Sequence, residues 1–330
     1  MVACPMKFRT ELPSGLSPLQ LSYGQGIVAM GSCFADRIGT RLSEARLVCT
    51  VNPLGIVYNP LSLAYLLRVA LGDAAMPTGT YAPHLEAWHS FALHSRLNAP
   101  DQTSWQRGVE ASFARLGRAL TGAQVLMLTF GTALVYRRHD TGEVVNNCHR
   151  YPAAFFRQDL LPLPEMLSTM YALVRLLRAQ RPGLQLLLTV SPVRHIKEGL
   201  PLNSVSKASL RLLCHQLASS LEEVHYYPAY ELMVDDLRDY RFYGRDLIHP
   251  SEMAEQYIWE HFCATHLSPE ARDMLSRWEQ VQRDLAHRPR QPGSQAHRRF
   301  LEKLRDKLQA LSPQLDCAAE LAQVEAALAG

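Results

Sequence analysis

The sequence predicts an α/β fold with a doubly wound parallel sheet of about five strands. Five short apolar, partly β-branched runs have the length of buried strands and occupy residues 27–30, 47–51, 125–130, 184–190 and 224–227. Segments with helical spacing of apolar residues separate these runs. Because parallel strands need crossover connections, strand–helix alternation of this kind predicts a parallel sheet covered by helices.

The helices between these runs begin at recognisable residues. Apolar residues spaced four apart predict a helix directly after the first run: Phe34, Ile38 and Leu42. In the segment NPLSLAYLLRVAL, Asn59 is the candidate N-cap and Pro60 occupies the first helical position. Farther along, Asn203 or Ser204 is expected to cap the helical segment KASLRLLCHQLASSL.

The chain is expected to form one large domain, residues 1–266, and a C-terminal helical extension, residues 267–330. The segment from about 72 to 122 is longer than a crossover needs, so we predict a helical insertion over one edge of the sheet. The charged, Pro- and Gly-containing stretch at 287–298 is predicted to be a linker. The segment after it has helical spacing and is expected to pack on the main domain.

The composition excludes several classes of protein. With 47% hydrophobic residues, 20% charged residues and a formal charge of +3, the chain lacks the basic excess of a nucleic-acid-binding protein. Its seven cysteines are scattered and form no C-x-x-C pair, which argues against a disulfide framework or a zinc site. No apolar run approaches a membrane span or a signal core. We therefore expect a cytoplasmic protein with reduced thiols and with neither metal nor cofactor.

Unusual polar motifs follow each predicted strand. GSCF follows the first strand, NPLGIVYNP the second, GTALVY and NNCHR the third, SPVRH the fourth and DYRFYGRDLIHP the fifth. The carboxyl ends of parallel strands lie at one edge of the sheet, where ligands bind. The sequence therefore predicts a single site built from five loops.

The turn after the first strand is the candidate position for a nucleophile. A side chain there lies near unpaired N–H groups and the positive end of the helix dipole, which favour a thiolate. Cys33 is preferred to Ser32, because a serine needs a well-placed base before it can attack. The structural alternative is that Cys33 is a small buried residue and Ser32 a helix N-cap.

Asp246 and His249 are the candidate partners of that nucleophile. An aspartate three residues before a histidine, in a turn closed by Pro250, can hold the imidazole through Nδ1–H and leave Nε2 for a nucleophile. The pattern alone is common in proteins. Together with a nucleophile at the first strand end, it predicts acyl-transfer chemistry.

These ordered motifs resemble the GSCFA-domain family, which is grouped with the SGNH (GDSL-type) hydrolases. The resemblance extends from about residue 8 to residue 262 and includes GSCFA, NPLGIVYNP, GTALVY, NNCHR, SPVRH, NSVSKASL and LRDYRFYGRDLIHP. It implies a flavodoxin-like, three-layer α/β/α sandwich and ester or acyl chemistry. It implies no particular substrate.

The SGNH pattern assigns roles to individual residues. Its Gly-Asp-Ser block aligns with the GSC that ends at Cys33, which makes Cys33 the nucleophile. Its second block aligns with Gly55, whose N–H would join that of Cys33 or Phe34 in an oxyanion hole. Its Asp-x-x-His block aligns with Asp246 and His249.

The third block departs from the SGNH pattern. Where those enzymes have Gly-x-Asn-Asp, this chain has GTAL, so the asparagine that completes their oxyanion hole is missing. Candidates to replace it are Thr132, Asn59, Asn146 and Asn147. Further candidates for substrate binding, each with a structural alternative, are His149, Asn147, Arg194, His195 and Lys207.

Three functions remain open at this point. The first is an esterase for a small O-acyl ester, such as an acetylated carbohydrate, with Cys33 as nucleophile, His249 as general base and acid, and Asp246 orienting His249. The second is an acyltransferase with an acyl thioester donor such as acyl-CoA, whose phosphates would meet one of three residues: Arg194, His195 or Lys207. The third is a binding protein that keeps the pocket without turnover.

Overall fold

The structure is a computed structural model that describes residues 9–329. Its strands are β1 (Gly26–Gly31), β2 (Val48–Val51), β3 (Thr80–Ala82), β4 (Ala87–His89), β5 (Ala123–Phe130), β6 (Leu134–Arg138), β7 (Val144–Val145), β8 (Phe156–Leu160), β9 (Gln185–Val190) and β10 (Val224–Tyr226). Its helices are α1 (Cys33–Glu44), α2 (Pro60–Ala70), α3 (Gln102–Gly122), α4 (Leu163–Gln180), α5 (Leu200–Ser220), α6 (Ala229–Glu231), α7 (Glu252–His266), α8 (Pro269–Ala286), α9 (Gln295–Leu311) and α10 (Ala318–Ala329).

The central sheet has the strand order β2-β1-β5-β9-β10, and every neighbouring pair is parallel. This is the flavodoxin-like order, in which the direction of winding reverses between β1 and β5, the first and third strands of this sheet in chain order. The five predicted strands are confirmed. β6 lies between β7 and β8 in a small antiparallel sheet that follows β5.

Helices cover both faces of the central sheet. Val28 and Met30 of β1 point into a core with α2, α3, α4 and α5, whereas Ile27 and Ala29 point into a second core with α1, α7 and the start of α8. Side chains alternate between the faces of a strand, so one short apolar run supplies both cores. The three-layer α/β/α architecture is therefore confirmed.

The segment from 72 to 122 is not a purely helical insertion. Its first half contains the antiparallel hairpin β3–β4, and its second half is α3. The buried face of α3 belongs to the main core and is formed by Trp105, Val109, Phe113, Leu116 and Leu120. α3 is thus the crossover helix that leads into β5. The hairpin escaped prediction because each of its strands has three residues, too few to display alternation.

The two helix starts behave differently. Asn59 caps α2 as predicted: its Oδ1 accepts a hydrogen bond from the Ser62 N–H at 2.8 Å. By contrast, α5 has Gly199 as its N-cap, so the predicted caps Asn203 and Ser204 lie inside the helix. Pro201 explains the earlier start, because the fixed φ of proline suits the first helical turn.

The C-terminal helices pack on the main domain through α8. Ala271 and Leu275 of α8 face the main core, while Met274 and Trp278 face a separate core shared with α9 and α10. The indole Nε1 of Trp278 donates to the carbonyl of Glu44 at the end of α1, at 2.8 Å. The linker ends earlier than predicted, because α9 begins at residue 295. No helix within residues 9–329 combines the length and the apolar character needed to cross a bilayer.

Candidate active site

The turn that ends β1 requires glycine. Gly31 has a φ of +140°, and a Cβ there would lie 2.2 Å from the carbonyl oxygen of Thr129 on β5. The next residue, Ser32, is fully buried and caps α1, since its Oγ accepts the N–H of Phe34 at 3.3 Å. Ser32 therefore acts as the helix cap, and Cys33 is the first residue of α1.

Asn52 holds this turn from the end of β2. It is fully buried and has a φ of +35°. Its Oδ1 accepts the N–H of Gly31 at 2.8 Å, and its Nδ2 donates to Asp36 of α1 at 2.6 Å. Asn52 begins the NPLG motif but was not among the predicted site residues. Its place directly after a strand, before Pro and Gly, was the available signal.

Cys33 is partly buried, and this burial raises the pKa of its thiol above the ordinary value. The backbone N–H groups of Cys33 and Phe34 and the charge of Lys207 act in the opposite direction, while Asp36 adds to the increase. The start of the helix favours the thiolate, as expected. Desolvation is the larger effect, however, so the thiol is the stable form near neutral pH.

Asp246 and His249 form the predicted pair. The Nδ1 of His249 lies 2.7 Å from Oδ2 of Asp246, whose Oδ1 accepts the backbone N–H groups of Ile248 and His249 at 2.9 and 3.1 Å. The bond to His249 and these two N–H groups lower the pKa of Asp246 to about 2. The carboxylate is therefore ionised at neutral pH and fixes Nδ1–H, which leaves Nε2 as the basic nitrogen.

Arg194 braces the DLIHP loop, residues 246–250. Its guanidinium donates to the carbonyl of Leu247 at 3.0 Å, and its N–H donates to the carbonyl of Ile248 at 3.1 Å. The same guanidinium lies 4.9 Å from the ring centroid of Tyr243 and 5.5 Å from that of Tyr240. These contacts use the side chain to position the loop, which is a structural role for Arg194; its predicted contact with an anionic substrate group stays a prediction.

His195 lies between the Cys33 turn and the DLIHP loop. A Cβ built on Gly131 would be 3.2 Å from Nε2 of His195 and 3.3 Å from the Cβ of Ser32, so these residues lie side by side. Burial, together with the charges of Lys207 and His249, lowers the pKa of His195 to about 3. The ring is therefore neutral, and its buried Nε2 has no hydrogen-bond partner within the described residues.

Lys207 lies beneath the site and is 1% exposed. Its Nζ donates to the carbonyls of Gly131 and Ser191 at 2.7 Å each, at the carboxyl ends of β5 and β9. Burial lowers the pKa of Lys207 to about 7, and proximity to Cys33 acts against this decrease. A buried amine cannot meet the phosphates of a donor, so the structure corrects the predicted substrate contact.

These groups converge where the winding of the sheet reverses. Cys33 follows β1, Lys207 holds the ends of β5 and β9, and His195 links both to the DLIHP loop after β10. Cys33 and Ile248 pack against the same apolar core. Ligands of open α/β sheets bind at this reversal point. Across residues 9–329, no group of three or more His, Cys, Asp or Glu side chains is placed to hold a metal ion.

Two family models match the chain. The model of the GSCFA family matches residues 26–262, which is most of the chain and extends from β1 into α7. The chain belongs to the GSCFA family. A second model, described as the C-terminal domain of GSCFA domain proteins, matches residues 278–330 and so covers the end of α8 with α9 and α10. No curated protein and no solved structure matches this GSCFA chain.

Two of the oxyanion donors expected for the GSCFA chain are engaged elsewhere. The N–H of Gly55 donates to the carbonyl of Asn52 at 2.9 Å, and the glycine is needed because its φ is +90°. The amide of Asn59 is occupied in capping α2. The N–H groups of Cys33 and Phe34 are the donors that act on the Cys33 sulfur.

Thr132 is likewise committed to the local structure. Its hydroxyl lies 3.0 Å from that of Ser206 on α5 and accepts the N–H of Leu134 at 3.0 Å. It therefore closes the turn between β5 and β6 of the GSCFA chain. The role of the missing third-block asparagine does not pass to this side chain.

The NNCHR loop of the GSCFA chain is held by hydrogen bonds to neighbouring segments, although Oδ1 of Asn146 and Nδ1 of His149 have no hydrogen-bond partner within the described residues. His149 is buried and its Nε2 donates to the carbonyl of Ser90 at 2.9 Å. Asn147 accepts the N–H of His149 at 2.8 Å, and Asn146 donates to the carbonyl of Ile56 at 3.2 Å. These bonds hold the loop against the segment after β4 and against the segment before α2, which is the structural alternative for His149.

Proposed function

We propose that this GSCFA protein is an acyl-ester hydrolase of the SGNH type that forms its acyl-enzyme on Cys33. The observation that carries the proposal is the Asp246–His249 pair, with its 2.7 Å contact, at the sheet edge where Cys33 begins α1. A base held by a carboxylate near a thiol at a helix start is the arrangement that nucleophilic catalysis needs.

Because the pKa of Cys33 is raised, the proposal requires His249 to accept the proton of the thiol. Since the thiol is protonated near neutral pH, attack on a carbonyl requires a base that accepts the proton as the bond forms. The Nε2 of His249 is that base, because Nδ1–H is held by Asp246. Cys33 and His249, both of which the structure describes, share no hydrogen bond. Such contacts often form only in the complex with substrate.

The proposed reaction has two steps, acylation of Cys33 and hydrolysis of the resulting thioester. The Cys33 sulfur attacks the ester carbonyl, and its proton passes through His249 to the departing alkoxide, which leaves as an alcohol. The resulting thioester is attacked by water, whose proton returns through His249 to the Cys33 sulfur as the free acid departs. In this proposal the backbone N–H of Cys33 stabilises the oxyanion in both steps, since the N–H of Phe34 already donates to Oγ of Ser32.

The proposed substrate is a small O-acyl ester, with an acetylated carbohydrate as the first candidate. The chemistry needs a reduced thiol, which the cytoplasm maintains, so we place the reaction there. An acyl thioester donor and a hydroxyl acceptor would use the same steps, with the acceptor in the place of water.

The test is the turnover of a small chromogenic acetate ester by the parent, Cys33→Ala and His249→Ala, with Cys148→Ala as the control. Cys148 is also partly buried with a raised pKa, but it lies in the NNCHR loop. We expect turnover to be lost in the first two variants and retained in the control, with an acetyl group on the parent Cys33 detected by mass spectrometry. Equal turnover in all four proteins would contradict the proposal.

Two further outcomes separate the alternatives. Slow hydrolysis of an acyl thioester that an added sugar acceptor accelerates would indicate an acyltransferase. Ligand binding without any acyl-enzyme would indicate a binding protein.

A further inference from the structure

A pocket of about 360 Å³ lies between α2 and the two small antiparallel sheets. Its volume falls within the range of about 300–1,000 Å³ that small-molecule sites occupy. Its lining comes from the first turns of α2, from β3 and the residues before it, from residues 90–92, and from the end of β6 with the turn into β7. Cys33, Asp246 and His249 are not among the lining residues, so the ester mechanism leaves this pocket unused.

The wall of the pocket combines apolar surface with hydroxyl groups. Tyr65 and Phe91 supply aromatic rings to it. The ring of Phe91 is fixed by its neighbours, because its centroid lies 4.9 Å from that of His89 and 4.9 Å from that of Tyr151. Side chains that carry hydroxyls line the pocket as well: Ser62, Thr78, Thr80 and Ser90.

Arg138 and Glu143 add one charge of each sign to the lining. The guanidinium of Arg138 is held in place, because its Nε donates to Asp140 at 2.9 Å and it lies 4.9 Å from the ring centroid of Phe91. Its Nη1 has no hydrogen-bond partner within residues 9–329. Among the same residues, the Glu143 carboxylate accepts one hydrogen bond, from the hydroxyl of Thr141 at 3.2 Å, and forms no salt bridge. The pocket thus offers a positioned donor and a carboxylate acceptor, both with unused capacity.

This lining discriminates between classes of ligand. An acyl chain would bury charged and hydroxyl-bearing groups without giving them hydrogen-bond partners, which is costly. An anion such as phosphate would meet the guanidinium of Arg138 but also the carboxylates of Asp140 and Glu143, so the local charge opposes it. A neutral sugar ring suits the whole lining, because its hydroxyls donate and accept hydrogen bonds while its C–H groups pack against apolar side chains.

The start of α2 connects this pocket to the candidate active site. The ring of Tyr58, just before the helix, lies 5.3 Å from that of His195, and the Tyr58 carbonyl accepts the N–H of Gly131 at 2.7 Å. Four residues later, Ser62 lines the pocket, and its hydroxyl accepts a hydrogen bond from the amide of Asn59 at 3.0 Å. One short segment therefore contacts both the candidate active site and the pocket.

We propose that this pocket binds a neutral sugar ring. The hydroxyls of the sugar accept hydrogen bonds from Arg138 and donate to Glu143, and its C–H groups pack against the apolar part of the wall. The inference deepens the proposed function and rests on it only in one respect, that the bound sugar is the alcohol part of the ester. Sugar binding itself requires neither Cys33 nor His249.

The test is a titration of the ¹⁵N-labelled parent, followed by ¹H–¹⁵N TROSY spectra. The sugar ligands are the methyl glycosides of glucose, galactose, mannose and N-acetylglucosamine, and the comparison ligands are octanoate and inorganic phosphate. The same titrations are made with Glu143→Met and Thr78→Val, which change exposed lining residues, and with the control Glu302→Met on α9.

We expect a methyl glycoside to bind the parent and Glu302→Met with equal affinity. Glu143→Met is expected to weaken this binding about tenfold or more, because it removes a charged acceptor, and Thr78→Val about two- to tenfold. Binding of octanoate or phosphate without any glycoside would overturn the inference, and so would the absence of all binding. Equal glycoside affinity in the parent and in both pocket variants would also overturn it.

The titrations do not depend on ester turnover, so the two proposals fail separately. A protein that binds a glycoside in this pocket but turns over no ester would contradict only the proposed function. A protein that turns over the acetate ester through Cys33 but binds no glycoside would contradict only the sugar pocket.

Discussion

The side-chain carbonyl of Asn52 accepts a hydrogen bond from the backbone N–H of Gly31 at 2.8 Å. This bond joins the ends of β2 and β1 directly beside the Cys33 turn, and the other end of the same amide holds Asp36 of α1. One buried side chain therefore fixes the strand end and the helix start between which the thiol lies.

We predict that Asn52→Ala destabilises the protein and lowers the reactivity of Cys33. The substitution leaves the buried N–H of Gly31 without a partner, which costs about 1–3 kcal/mol of the free energy of unfolding. Chemical denaturation measures this cost, and Asn98→Ala, at the end of a 3₁₀ turn, is the control. An unfolding free energy equal to that of the parent would contradict the assigned role.

Asp246→Asn is expected to lower ester turnover by about 10²- to 10⁴-fold, because Nδ1 of His249 loses the carboxylate that fixes its tautomer. The pKa of Asp246 is lowered to about 2, so its ionic interaction is complete above about pH 4. It is lost as the pH falls toward 2. Turnover against pH in the parent and in Asp246→Asn checks this. Asp239→Asn, whose partner is Arg241, is the control and should behave like the parent.

Lys207 is expected to make the free energy of unfolding depend on pH in the alkaline range. Burial lowers its pKa to about 7, so between pH 7 and about 10.4 the unfolded chain binds more protons than the folded one. This contribution to stability therefore increases with pH across that interval, with a slope of up to about 1.4 kcal/mol per pH unit. Denaturant unfolding of the parent and Lys207→Met at several pH values measures it, and parallel stability curves would contradict it.

Gly31→Ala is expected to disrupt the turn before Cys33. A Cβ at this position would overlap the carbonyl oxygen of Thr129 at 2.2 Å, and the backbone has a positive φ. We expect severe destabilisation or failure to fold, assayed by thermal unfolding and expression. Gly108→Ala is the matched control, because α3 leaves open space there, and it should stabilise the protein by about 0.5–1 kcal/mol.

Much of the fold and part of the site could be predicted from local sequence. The apolar runs marked the central strands because buried parallel strands need continuous apolar residues. The motifs GSCF and DLIHP followed strands and so lay at one edge of the sheet. The Asp246–His249 contact was predictable because it spans three residues within one turn. The β3–β4 hairpin was missed because its strands are too short to show a period.

The roles of Gly55, Arg194 and Lys207 could not be obtained in this way. Gly55 was assigned an oxyanion role through the SGNH pattern, and Arg194 and Lys207 were assigned contacts with substrate. In the structure the N–H of Gly55 is engaged in a turn, and Arg194 and Lys207 have partners distant in the chain. Lys207 illustrates the reason: α5 packs it against the ends of β5 and β9, so burial determines both its contacts and its pKa.

Local sequence was enough to predict the five strands of the central sheet, most of the helices, the order of the loops and the residue types of the candidate nucleophile and base. These depend on spacing and residue type within short segments. Only the tertiary structure showed which N–H groups remain free. It also showed that burial raises the pKa of the Cys33 thiol and that the buried amine of Lys207 lies beneath the site. Desolvation and charge coupling depend on what surrounds a group from all directions, and chain neighbours supply only a small part of those surroundings.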